Sequence, residues 1–161
     1  MIHYIGDGYF MSLAKISAMR SKDPVTQVGA CIVNEDKIIV SLGYNGMPKG
    51  NDDAFPWHKD ENNKMNSKYS YVVHAEINAI LNTNQNLKNC TLYVSLFPCD
   101  NCAKTISQTG IKEIVYQEDK YHDNIEFQIS RKILKESNIA TRKIEIETHV
   151  NVKVGDKQYQ N

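Results

Sequence analysis

Two short stretches hold the residues best able to do chemistry, His74-Ala75-Glu76 and Pro98-Cys99-Asp100-Asn101-Cys102. One imidazole and two thiols can bind a zinc ion and leave its fourth position to water, and a nearby carboxylate can move that water's proton. The spacing within each stretch sets what must surround it. Cys99 and Cys102 stand three positions apart, so a helix beginning near Pro98 puts both sulfurs on one face of its first turn. Exposed amides and the positive end of that helix favour thiolates. His74 and Glu76 are only two apart and would not share a face of a regular helix, which puts their motif at a helix start. There His74 turns to the metal, Glu76 reaches past it to water and substrate, and Ala75 leaves room for a flat ring.

A cysteine pair at this spacing is also half of a structural zinc site, but such a site wants four protein ligands, and no obvious fourth accompanies these three. Cys31 and Cys90 fall on or beside strand-like runs and read as small packing residues.

The elements that carry these stretches fit one domain over 1–150, with a polar tail at 151–161. Gly8–Arg20 is amphipathic, with Phe10, Leu13, Ala14 and Ser17 on one face, and Pro24 follows its end. Val28–Val33 and Ile38–Gly43 read as paired strands around an Asn34–Lys37 turn, and their mostly apolar pattern predicts cover on both faces. Residues 43–71 form a long glycine-punctuated loop with room for one short helix, expected to fold over a pocket. A helix over His74–Leu81, a strand over Cys90–Leu96, a helix from Pro98 to Gln108 and a strand over Ile111–Tyr116 follow. Ile125, Ile129 and Ile133 mark a further helix, and Lys143–Val150 alternates as a terminal strand. Gly155–Asn161 is expected to fray. The predicted class is three-layer α/β/α around a mixed sheet of about five strands.

Nineteen basic residues balance nineteen acidic ones, which gives no electrostatic footprint for polymeric nucleic acid. No stretch is apolar enough to cross a membrane and no opening segment has the form of a signal peptide, so the reading places the chain in the cytoplasm with reduced cysteines.

Histidine, one residue and glutamate, followed by proline-cysteine-two residues-cysteine, is the signature of zinc nucleobase deaminases. Beyond it, SKDPVTQVGACIV, GYNGMPKGNDD, FPW, YVVHAEINAI, TLYVSLFPCDNCAK, TGIKEIVY and DKYHD resemble the deoxycytidylate deaminase family, from the first helix through about residue 136. The resemblance implies a cytidine-deaminase-like fold and hydrolysis of dCMP to dUMP and ammonia, which feeds thymidylate synthesis. It implies His74, Cys99 and Cys102 as ligands of Zn2+ and Glu76 as proton carrier. It further implies a homo-hexamer activated by dCTP with Mg2+ and inhibited by dTTP, with Asn45, Gly46, Lys49, Asp52 and Asp53 as effector surface. Tyr121 and His122 stand in a short polar segment that could close over the base and phosphate, and Tyr121 is similar in placement to a family aromatic that moves between regulated states.

For the nucleotide itself, Asn45 can both donate to and accept from a sugar hydroxyl. Arg20, Ser21 and Lys22 can offer charge-assisted bonds to a 5′-phosphate. Rival readings share the metal chemistry: a cytidine, dCTP or guanine deaminase, or a tRNA adenosine deaminase, against which the balanced charge and the missing basic tail speak. A catalytically silent zinc protein would have no use for Glu76.

Overall fold

The computed structural model describes residues 6–161. In chain order it forms α1 (Gly6–Ala18), β1 (Gly29–Val33), β2 (Ile39–Tyr44), α2 (Ala75–Leu81), β3 (Thr91–Leu96), α3 (Asp100–Ser107), β4 (Glu113–Glu118), α4 (Ile125–Glu136) and β5 (Ala140–Lys143). Five strands make one mixed sheet in the order β2-β1-β3-β4-β5. β1 runs antiparallel to both β2 and β3, while β3, β4 and β5 are mutually parallel.

All five residues of β1 are buried, as its apolar pattern requires, because strand side chains alternate and both faces are covered. Cys31, Val33, Tyr93 and Val115 pack with Phe10, Met11 and Ala14 of α1. Ala30, Ile32, Leu92, Val94 and Ile114 pack on the other face with residues of α2, α3 and α4. The result is the expected three-layer α/β/α sandwich.

Backbone contacts bring α2 down onto the sheet. A Cβ on Gly43 would lie 2.4 Å from Ala75 O and Ala79 N, so the absent side chain in β2 makes space for the helix. Ser41 Oγ donates to Ala79 O at 2.6 Å and Asn78 Nδ2 to Tyr44 O at 2.8 Å.

Three expectations need correction. The terminal strand of the main sheet is β5, not Lys143–Val150. Asn138, at φ 56°, ends the turn after α4, Ile139 is buried, and Ala140 pairs at once with Glu113, so the strand is spent before the Ile144/Ile146 alternation begins. The inward face of α4 is not the isoleucine stripe: Ser130 and Leu134 are its buried residues, Phe127 and Ile133 are partly buried against the core, and Ile125 and Ile129 are exposed. The tail does not fray either. Asn151–Val154 (β6) and Lys157–Gln160 (β7) pair as an antiparallel hairpin, turning through Gly155 at φ 59°. The long loop contains two 3-10 turns, Lys64–Asn66 and Lys68–Ser70, where one short helix was allowed for.

Candidate active site

The site lies where β3 leaves the sheet and two helices begin. His74 occupies the N-cap position of α2 and Cys99 that of α3, both with extended backbone and neither side chain spent on capping. Cys102 follows one turn into α3. This explains both spacings: the histidine motif straddles a helix start, and the cysteines share a first turn.

Neighbouring segments fix the three donors. Val73 and Gly46 exchange backbone hydrogen bonds at 2.8 and 3.0 Å, holding the approach to His74. Ser130 Oγ of α4 donates to Pro98 O at 2.8 Å in a buried contact, and Phe97 N donates to Glu118 O at 2.8 Å. His74 Nδ1 lies 3.4 Å from Cys99 Sγ and 3.3 Å from Cys102 Sγ. The three ligand atoms fall within 4.8 Å of one another, one nitrogen and two sulfurs open to a fourth ligand, the donor set of a catalytic zinc centre. Among the described residues no other histidine, cysteine or carboxylate group forms such a cluster. Cys31 and Cys90 are buried in the core, and burial pushes the Cys31 thiol up to about 12, which leaves it inert.

Metal binding needs deprotonated thiols and a neutral imidazole. The Cys99 thiol is drawn down to about 4, first by the hydrogen bond with Cys102, against burial, and then by His74. The hydrogen bond with Cys99 and burial push Cys102 up. His74 is raised to about 9, first by its hydrogen bond to Cys99, against burial, with the Glu76 charge adding to it. A cation bound there would displace whatever protons the three groups share.

Glu76 is 3% exposed. Burial raises its pKa, with the His74 charge opposing. A carboxyl lifted toward neutrality is suited to carrying a proton both ways.

A cavity of about 580 Å³ opens over this cluster, lined by His74, Ala75, Glu76, Cys99, Asn45 and Tyr121 among others. Ala75 presents only a methyl there. Tyr121 is 36% exposed and packs its ring 5.5 Å from that of Phe127. The long loop contributes Lys59, Lys68 and Tyr69 to the wall, with Val72 just beyond it, so it folds over the pocket as expected.

Other candidates stand away from this wall. Arg20 places its guanidinium 5.1 Å from the Tyr44 ring centroid, Ser21 is buried with its Oγ accepting from Asp23 N, and Lys22 pairs with Asp52 at 3.1 Å. None of the three lines the cavity. Asn45 does, and its amide also holds the chain: Oδ1 accepts from Val28 N at 2.8 Å and Nδ2 donates to Thr26 O at 2.9 Å. Gly46 is bridged to Val73, while Lys49 and Asp53 are exposed on the loop that follows. Sequence reasoning passed over Asp23, Thr26, Lys59, Lys68 and Phe127, all on the cavity wall. Asp23 and Thr26 lie within the SKDPVTQVGACIV stretch that carried the resemblance; nothing in the sequence marked the other three.

The profile described as the cytidine and deoxycytidylate deaminase zinc-binding region matches residues 6–118. The deoxycytidylate deaminases of Mus musculus and Homo sapiens are each 53% identical over 137 residues, covering 84% of this chain and 77% of theirs. Among solved structures, a dCMP deaminase from cyanophage S-TIM5 in complex with dCMP and dUMP superposes with a TM-score of 0.68 at 23% identity, over 89% of this chain and all of that one. At that identity the likeness speaks for the fold.

Proposed function

Because the chain belongs to the cytidine and deoxycytidylate deaminase family, we propose that it catalyses the hydrolytic deamination of dCMP to dUMP and ammonia. The observation that carries this reading is the convergence of His74, Cys99 and Cys102 beside buried Glu76 at the floor of a nucleotide-sized cavity. The names of the deoxycytidylate deaminases that share about half its residues support dCMP as the substrate.

Held by His74, Cys99 and Cys102, zinc would supply an acidified water and a positive anchor for the charge on the oxygen that adds to the ring carbon. The rest falls to the chain's own residues. Glu76 takes one proton from the water as its oxygen bonds to the amine-bearing ring carbon, and passes that proton to the adjacent ring nitrogen. It then carries the second proton, from the new hydroxyl, to the amine. The carbon–nitrogen bond breaks, ammonia leaves, and the ring carbonyl of dUMP remains. Ala75 gives the flat ring space, and Tyr121 with Phe127 closes an apolar side over it.

Asn45 is the proposed partner of the sugar hydroxyl, because its second amide hydrogen and second oxygen lone pair remain available on the cavity wall. Arg20, Ser21 and Lys22 remain the proposed phosphate contacts, supported by their place immediately before the wall residue Asp23. Lys59 joins them as an exposed wall cation, paired with exposed Glu61 at 2.5 Å. The resemblance of GYNGMPKGNDD supports regulation through Asn45, Gly46, Lys49, Asp52 and Asp53, with dCTP and Mg2+ activating, dTTP inhibiting, and a homo-hexamer as the assembly. No described helix is long and apolar enough to cross a membrane, which accords with the proposed cytoplasmic location.

A zinc-loaded panel of dCMP, dCTP, CMP, deoxycytidine and an adenosine-containing RNA hairpin tests the reading by ammonia release. dCMP should be consumed far faster than deoxycytidine. Equal efficiencies would reject a phosphate-dependent site, and preference for the hairpin would reject the nucleotide substrate altogether. Addition of dCTP with Mg2+, or of dTTP, should shift the dCMP saturation curve; coincident curves would reject the regulatory reading.

A further inference from the structure

Asp23 and Lys68 face each other on the cavity wall with side chains only 4% and 7% exposed. Burying two charges costs solvation that their attraction alone seldom recovers, so such a pair asks for a role beyond stability. Lys68 Nζ donates to both carboxylate oxygens, at 2.9 and 2.8 Å. Asp23 Oδ1 also accepts from Val25 N at 2.9 Å and Thr26 N at 3.0 Å.

Lys68 is itself fastened. Its backbone N–H donates to His58 O at 2.8 Å, and its carbonyl accepts from Tyr71 N and Val72 N at 3.0 and 2.8 Å. The run from Lys68 leads through Val73 directly into His74. On the far side, Asn45 takes Thr26 O and Val28 N. Thr26–Val28 is therefore clamped between the carboxylate and the Asn45 amide, and through Lys68 its position is referred to the segment that delivers the metal-binding imidazole.

We infer that the Asp23–Lys68 pair is a positioning strap for the reaction, holding the Thr26–Val28 edge of the cavity at a fixed distance from His74 and Glu76 so that the sugar-phosphate part of the nucleotide is seated while its base meets the donor cluster. This rests on dCMP deamination as the activity. Lys68 is not offered to the phosphate, because two of its donors are committed to Asp23. The pair acts through the wall, and so governs substrate affinity in preference to the chemical step.

The test uses the full-length zinc-loaded protein and the variants Asp23→Ala, Lys68→Met and Asp23→Asn. KM for dCMP should rise at least about tenfold in the first two, with kcat within about threefold of the parent and zinc content unchanged, the pattern of lost uniform binding. Asp23→Asn keeps acceptors for the Val25 and Thr26 amides and should recover most of that KM. An unchanged KM in folded, zinc-loaded Asp23→Ala or Lys68→Met would overturn the strap, as would a kcat that falls while KM stays. Amide hydrogen exchange without nucleotide supplies a second measurement. In the parent, the amides of Val25, Thr26 and Val28 should be protected well above an open loop, and in Asp23→Ala they should exchange at least about tenfold faster while β1 and β3 do not change. Rapid exchange there in the parent would overturn the strap even if no variant folds. Failure of the parent to consume dCMP would sink the substrate reading alone, since the exchange measurement contains no nucleotide.

Discussion

At the scale of single residues, the division of labour around the donor cluster is sharp enough to be separated by substitution. His74, Cys99 and Cys102 bring three ligand atoms together, whereas Glu76, buried and raised in pKa by that burial, is the group proposed to move the proton. Glu76→Gln keeps the shape and removes the base. It should retain about one zinc per chain by elemental analysis while turnover falls by roughly 10³-fold, within the usual range for loss of a general acid/base. Full ammonia release from that variant would eliminate the proton path. The placement of these four residues at two helix starts was legible in the sequence because each motif is local: spacings of two and three positions dictate helix-start geometry. The Asp23–Lys68 pair was not legible, since its members are 45 positions apart and nothing but the folded loop tells one lysine of that stretch from another.

At the scale of elements, α2 and α3 matter less as helices than as two N-termini aimed at one point. α2 is seven residues long, too short to hold its orientation by helix propensity, so its seat on β2 decides where His74 and Glu76 point. Gly43→Ala should therefore be costly, because the added methyl meets backbone atoms of α2 at 2.4 Å and no side chain can rotate aside. Overpacking of this kind costs about 2 kcal/mol or more, and a fall in Tm of roughly 4–8 °C with lower turnover is expected by calorimetry and assay. Gly46→Ala is the control, since its nearest new neighbour is a Tyr44 ring carbon at 3.8 Å and its Tm should move little. An unshifted Tm in Gly43→Ala would mean that α2 slides freely. The sequence placed Gly43 at the end of a strand without giving it a packing partner; the structure gives the space above it to a helix. The α4 stripe misled for a related reason. Its four-residue repeat is a valid helical face, but the bond from Ser130 to Pro98, in the segment that leads into α3, and the buried Leu134 turn a different face inward.

For the molecule as a whole, a charged knot on the sheet face beneath α1 ties together elements from both ends of the chain. Arg142 of β5 donates through Nη1 and Nη2 to the Asp7 carboxylate of α1 at 2.6 and 3.0 Å and through Nε to Glu113 of β4 at 2.9 Å, while Tyr93 Oη of β3 donates to Asp7 at 2.8 Å. The Arg142 hydrogen bond, against burial and aided by Tyr93, holds the Asp7 carboxyl below its usual 3.8. A depressed acid adds stability that is present above its unfolded pKa and is lost as pH falls through the folded one. With Arg142 40% exposed, solvent screening limits the contribution to about 1 kcal/mol. Arg142→Met should thus lower Tm by roughly 2–4 °C at pH 7, and the gap should narrow below about pH 4 as Asp7 protonates. A gap independent of pH would remove Asp7 from the account. The layered sandwich was legible from alternating apolar strands and amphipathic helices, but this knot was not, because 135 positions separate Asp7 from Arg142. The far end of the chain is held by Lys15 Nζ donating to Thr148 O and by Thr148 N donating to Gln117 at 3.0 Å. Beyond that anchor, among the described residues, backbone bonds between Val150 and Asn161 close the β6–β7 hairpin on itself. A protease nicking the peptide just after His149 should shear off that appendage in one cut and leave a trimmed enzyme with the parent's melting point and catalytic rate.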